Sequence, residues 1–269
     1  MLTVETSGVL LGLLSYTVFF FTYPCLSQIL PLGDSYRSLK NDGDRGEWNT
    51  RVCSNANALL ISLPSLSVYL SSLHLYGLDQ HSQRCQNLDD HAKFYGCALG
   101  SYFLVDSLVV LWYRKTMGMF YSTLVHHFCG VWGNINAVLI GSPNLYCIWF
   151  FVCEISTPMV NLRWFLAKSG YDASNSTLYV VNGLAMVLVF GLVRVFPLPW
   201  TLYLHWARDW DTLGKVKYAS EFETIYGFSY QKYWFCMLAV FCVLQTNWWI
   251  LMVKGALKAM RKTPPKKDD

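Results

Sequence analysis

The sequence predicts an all-α polytopic membrane protein with about seven transmembrane helices. Three observations carry this expectation. Of the 269 residues 54% are hydrophobic and only 14% charged, an apolar share above that of soluble domains. The apolar residues come in blocks of about twenty, the length that crosses a hydrocarbon core. The cations are also segregated: no Lys or Arg precedes Arg37, and six lie from Lys254 to the end. A basic flank marks the cytosolic side, so the carboxyl terminus is expected in the cytosol and the amino terminus in the lumen. The net charge of +4 forms no basic face for nucleic acid, and no such partner is expected.

The first block, residues 7–30, lacks a basic leading segment and exceeds a signal-peptide core, so it reads as a retained helix. Spans at 52–76, 94–113, 119–140, 145–166, 178–200 and 233–256 follow, each long enough to cross the bilayer. Loops 31–51, 114–118 and 167–177 then face the cytosol and carry more Lys and Arg than the lumenal loops, as that orientation requires. The loop at 207–232 holds Arg208, Lys215, Lys217 and Lys232 on the lumenal side, close to Asp209, Asp211, Glu221 and Glu223. The sequon Asn175-Ser176-Thr177 falls in a cytosolic loop and is expected to carry no glycan. Of nine cysteines, seven lie within or at the ends of spans and read as small buried hydrophobes. Cys85 and Cys97 are the pair left for a disulfide, and none is expected.

Lys266 and Lys267 occupy the fourth and third positions from the end. On a cytosolic tail this is the dilysine signal read by retrograde coat proteins. The expected location is the endoplasmic reticulum membrane, with cycling through the compartment between reticulum and Golgi.

Ionisable groups inside spans point to function, since each costs about 2.5–3.5 kcal/mol at a helix centre and turns inward to a partner or cavity. His126 and His127 lie about 10 Å inside the fourth span, and Asp106 on the third lies at the same depth. Glu154 on the fifth lies about 15 Å deep. Ser122, His126, Gly130 and Asn134 recur every four residues on one face, as do Glu154, Thr157, Pro158 and Asn161 at helical spacing. Pro158 removes the bond to the carbonyl of Glu154 and is expected to kink the helix. Two polar stripes on consecutive helices imply an internal cavity. Imidazoles beside carboxylates suit acyl transfer, the histidine acting as nucleophile or as base and the carboxylate fixing its tautomer. Polar residues that only bond helices together are the alternative. Arg194 is expected near the lumenal end of the sixth helix, snorkelling or holding a headgroup. Gln245 and Asn247 on the seventh either line the cavity or bond to neighbours.

A di-iron site is not expected, because no H-x-x-H-H box occurs and four of six histidines lie near or beyond the lumenal boundary. A seven-span receptor is set aside because the last span lacks an N-P-x-x-Y-like element.

Glu47-Trp48-Asn49-Thr50-Arg51, Asp106, His126-His127, Glu154-Ile155-Ser156-Thr157-Pro158 and Arg194 with Pro197 together resemble the TLC-domain family, which includes ceramide synthases and translocon-associated membrane proteins. The resemblance implies a six-helix barrel over residues 43–256 with the histidines inside, preceded by residues 1–42 with one extra helix and followed by the tail 257–269. It implies transfer of an acyl chain from acyl-CoA, as co-substrate, to an amine or hydroxyl acceptor among membrane lipids, with no bound cofactor. Noncatalytic members implied by the same resemblance control lipid composition or assist cargo export. Glu154 and Thr157 stand where ceramide synthases carry two aspartates, which resembles the small TLC-domain proteins. Asn161-Leu162-Arg163-Trp164-Phe165 resembles one branch of these, and Tyr36-Arg37-Ser38-Leu39 with the dilysine another.

Overall fold

A computed structural model of the chain describes residues 2–27 and 32–262, and among them every regular element is helical. Lys266 and Lys267, the retrieval signal, lie outside the described residues. The helices are α1 (Val4–Leu26), α2 (Gly33–Ser38), α3 (Asp42–Ser71), α4 (His81–Arg84), α5 (Asp90–Trp112), α6 (Phe120–Leu139), α7 (Asn144–Cys153), α8 (Thr157–Lys168), α9 (Thr177–Phe190), α10 (Pro197–Leu204), α11 (Trp210–Leu213), α12 (Lys217–Tyr226) and α13 (Tyr230–Lys262).

Five continuous stretches are long and apolar enough to cross a membrane: Val4–Leu26, Asp90–Trp112, Asn144–Lys168, Thr177–Leu213 and Tyr230–Lys258. The protein is therefore an all-α, multi-pass membrane protein. The remaining two expected spans coincide with α3 and α6, of 30 and 20 residues, which reach about 30 Å or more at 1.5 Å per residue. Neither is among the five stretches apolar enough to cross by composition: α3 buries Asn49, Asn57, Ser62 and Ser65, and α6 buries His127 and Asn136 while Tyr121, Phe128 and Leu139 are exposed.

Two boundaries differ from expectation. The second expected helix starts ten residues earlier, at Asp42 instead of 52. Asn41 caps it by accepting from the amide of Asp44 at 2.6 Å, and acidic Asp42 and Asp44 suit the positive end of the helix dipole. The sixth does not end at 200 but runs from Thr177 to Leu213. Pro197 has no N–H for the carbonyl of Val193, four residues back. The chain absorbs this with a π-helical turn at Gly191–Val195, where the amide of Phe196 donates to Gly191 O at 2.9 Å. The freed Val193 carbonyl accepts from Trp149 Nε1 at 3.1 Å and Cys153 Sγ at 3.4 Å.

The expected kink at Pro158 is present as a break. A single 3₁₀ turn, Glu154–Ser156, separates α7 from α8, and the amide of Thr157 closes it on Glu154 O. Around this break the helices pack in an order that is not the chain order: α1 lies on α5 and α3, α5 on α6, α3 on α7 and α8, and α13 on α9. Glycines permit the closest approach. A Cβ at Gly12 would stand 2.3 Å from Ala98 O, and one at Gly8 2.2 Å from Phe94 O, so α1 and α5 meet backbone to backbone. Outward, Leu10, Leu14, Val18 and Phe21 of α1 are exposed, the face a bilayer solvates.

Opposite the expected cytosolic end, Arg84 and Asp209 are fully buried and paired at 2.7 Å. Tyr146 also donates to Asp209, and Arg84 Nη1 donates to the carbonyls of Leu75, at 2.5 Å, and Gly77. Arg208, Lys215, Lys217 and Lys232 thus flank a pinned segment rather than an open loop, and α12 seats Tyr218 and Phe222 in the core. Cys85 is buried there, and all nine cysteines are thiols.

Candidate functional site between α5, α6, α7 and α13

Adjacent residues on a helix point about 100° apart, and α6 uses this to send its two histidines to different neighbours. The ring of His126 lies 5.4 Å from Phe103, 5.4 Å from Trp248 and 6.3 Å from Phe241. That of His127 faces α5, with Nε2 3.5 Å from Asp106 Oδ2. The shared depth expected for His126 and Asp106 is therefore used by the neighbouring histidine. Asp106 also accepts from Tyr16 Oη on α1 at 2.8 Å, at its other oxygen. Tyr16, Asp106 and His127 are all buried. Phe103 lies between the layers, its ring 5.0 Å from His127 as well.

A pocket of about 780 Å³, counting its open mouth, lies between α5, α6, α7 and α13. Its wall is mostly apolar, with Leu99, Phe151, Met237 and Leu244 among the lining residues, and it carries His126, Glu154 and Asn134 as polar groups. Along α6 it runs from His126 through Gly130 and Gly133 to Ala137, about 16 Å of helix. A Cβ at Gly133 would meet only Met237 Cε, at 3.6 Å, so this glycine gives the pocket width rather than a tight helix contact.

Glu154 sits at the α7–α8 break and is held at both oxygens. Thr157 Oγ1 donates to Oε2 at 2.8 Å, and Arg194 Nη2 donates to Oε1 at 3.2 Å. Arg194 is 4% exposed and does not snorkel. It projects from the π-helical turn into the gap left by the break, where Nε donates to Cys153 O at 2.8 Å and Ser156 Oγ at 2.9 Å, and Nη2 to Thr157 Oγ1 at 3.0 Å. The 3₁₀ turn supplies acceptors that an unbroken helix would have consumed. Gln245 Oε1 lies 3.5 Å from Arg194 Nη1, and its Nε2 has no partner among the described residues.

The other sequence-selected residues lie elsewhere. Asn161 belongs to a separate network on α3: its Nδ2 donates to Asn55 Oδ1 at 2.7 Å, and its Oδ1 accepts from Arg51 at 3.0 Å. Ser122 donates to Met119 O at 3.0 Å at the start of α6, away from the pocket wall. Thr157 lies behind the wall, bonded to Glu154. Asn247 is on the exposed side of α13. Among the described residues no three of His, Cys, Asp and Glu gather as metal ligands.

The TLC domain family matches residues 47–254. The chain belongs to the TLC-domain family. TLC domain-containing protein 4-B of Danio rerio is 24% identical over 91% of this chain and 88% of its own length. TLC domain-containing protein 4 A of Dictyostelium discoideum is 23% identical over 98% and 93%, and TLC domain-containing protein 4 of Homo sapiens 22% over 80% and 75%. No solved structure matches. The TLC-domain match begins after α1, so Tyr16 stands outside it and reaches Asp106 within it. Sequence reasoning missed Tyr16 because an aromatic residue on a flanking helix carries no mark of its own. Phe103 and Trp248 were equally silent among 16 Phe, 17 Tyr and 11 Trp.

Proposed function

We propose that this TLC-domain protein resides in the endoplasmic reticulum membrane and transfers an acyl chain from acyl-CoA to an amine or hydroxyl of a membrane lipid. One observation carries the reading: a long apolar pocket ends at an imidazole, His126, with a carboxylate, Glu154, on the same wall. An acyl chain fits the apolar length, and its thioester would then meet the imidazole. In the balanced step, a nitrogen of His126 bonds the acyl carbon, the C–S bond breaks, and coenzyme A leaves as a thiol with the imidazole proton. The acceptor then attacks the acyl-imidazole, losing its proton as the imidazole is regenerated. Alternatively His126 acts as a general base and no adduct forms. Seven spans, with α3 and the helices from α5 onward forming a barrel about the pocket and α1 outside, fit this role, as does an orientation with the carboxyl tail in the cytosol beside acyl-CoA.

A second reading has its own support. Glu154 is committed to Arg194 and Thr157, which suits a noncatalytic pocket that binds lipid and sets membrane composition, or assists cargo export.

The test uses purified full-length protein. Given acyl-CoA, the wild type is expected to transfer to a lipid acceptor, with a mass gain of one acyl group where His126 is the nucleophile. His126→Ala is expected to abolish transfer while remaining monodisperse. Lipid bound to wild type with neither adduct nor turnover over a broad acceptor panel favours the second reading.

A further inference from the structure

Helix α1 has the marks of a peripheral anchor, with an exposed apolar face and no part in the family match. Its inward face tells otherwise. Tyr16 is 3% exposed, and its hydroxyl donates to Asp106 Oδ1 at 2.8 Å. Asp106 Oδ2 lies 3.5 Å from His127 Nε2, while His127 Nδ1 has no partner among the described residues. Tyr16 itself is fixed: its ring lies 5.6 Å from Tyr102 and 5.8 Å from Phe20, and its carbonyl accepts from Cys53 Sγ at 3.4 Å. Gly8 and Gly12 bring its backbone against α5, two turns and one turn before it.

We infer that Tyr16 is a positioning residue for His127, acting through Asp106. A carboxylate has two oxygens to offer. With one taken by a phenol from α1, the other is turned toward His127, where it favours the proton on Nε2 and leaves Nδ1 as the basic nitrogen. A buried carboxylate without the phenol would be free to rotate, and the imidazole would lose its fixed tautomer. Helix α1 is thereby a working part of the site. The catalytic consequence rests on the acyl-transfer reading; the tautomer does not.

The experiment is imidazole ¹⁵N NMR of full-length protein labelled at histidine, in nanodiscs, with the His127 signals assigned by their loss in His127→Gln. Wild type is expected to show the Nε2-protonated tautomer at His127. Tyr16→Phe is expected to move that signal toward a tautomer mixture while the remaining histidines stay unchanged, and Asp106→Asn to move it likewise, with little further change in the double variant. An unchanged His127 signal in folded Tyr16→Phe overturns the inference, leaving Tyr16 as a tie between helices. So does an Nδ1-protonated His127 in wild type, a measurement that needs no variant to fold. A tautomer that depends on Tyr16 in a protein without turnover upholds the positioning and rejects acyl transfer.

Discussion

Arg194 and Glu154 form an ion pair at 3.2 Å with side-chain exposures of 4% and 11%, joining the π-helical turn before α10 to the 3₁₀ break before α8. Each partner sits where its own helix is irregular. The pair therefore ties the two irregular turns together, and Arg194 also fills the carbonyl of Cys153 that the 3₁₀ break leaves open.

Removing one partner should be worse than removing both. Arg194→Met is expected to destabilise by about 3–5 kcal/mol, because Glu154 is left charged and buried. Arg194→Met with Glu154→Leu is expected to recover much of that loss. Unfolding in mixed micelles with rising denaturing detergent measures both. Equal loss in the single and double variants would show that Arg194 acts through its bonds to Cys153 O, Ser156 Oγ and Thr157 Oγ1 rather than through the ion pair.

At Gly12, a Val is expected to push α1 off α5, with a loss of about 1–3 kcal/mol for overpacking. Increased protease access to the segment after α1 should accompany it. A native melt and digestion pattern would contradict the backbone contact between these helices.

Gly133→Leu is expected to fill the pocket without disturbing helix packing, since only Met237 is in reach of a new Cβ. Native stability with reduced co-purified lipid, scored by mass spectrometry, is the expected result. Unchanged lipid content would place the bound lipid elsewhere.

Asn175 is expected to carry no glycan when the protein is made in eukaryotic cells. Its side chain already accepts from the amide of Asp172 at 2.8 Å and donates to Gly170 O at 3.0 Å. Endoglycosidase should leave mobility unchanged; a shift abolished by Asn175→Gln would invert the proposed orientation.

Serines at Lys266 and Lys267 are expected to move part of the protein forward to the Golgi without altering folding, because an exposed terminus adds little stability. Imaging beside compartment markers scores this. An unchanged distribution would remove the dilysine from the account.

The helices themselves were legible, since long apolar runs declare their length and Pro158 its break. Legible too was the inward turn of His126 and Glu154, because an ionisable group in hydrocarbon has few other places to go. Their partners were not. Depth along a helix can be counted from sequence, but rotation about its axis fixes which neighbour a side chain meets. One step of about 100° exchanges His126 for His127 beside Asp106. Arg194 was misplaced for a related reason: Pro197 resembles a helix end, whereas Trp149 from another helix takes the carbonyl that Pro197 leaves free. Asn247 and Gln245 stand two residues apart, and only the one facing Arg194 is buried.

The bond between Tyr16 and Asp106 spans 90 positions, and synthesis at about 5–20 residues per second puts some 5–18 s between them. During that interval Tyr16 has been made and the carboxylate that will receive its phenol has not. Helix α3 emerges first and can shelter Tyr16 through Cys53, whose thiol meets the Tyr16 carbonyl at 3.4 Å. The order of manufacture thus makes α1 and α3 a waiting cradle, and α5 the piece whose arrival closes it.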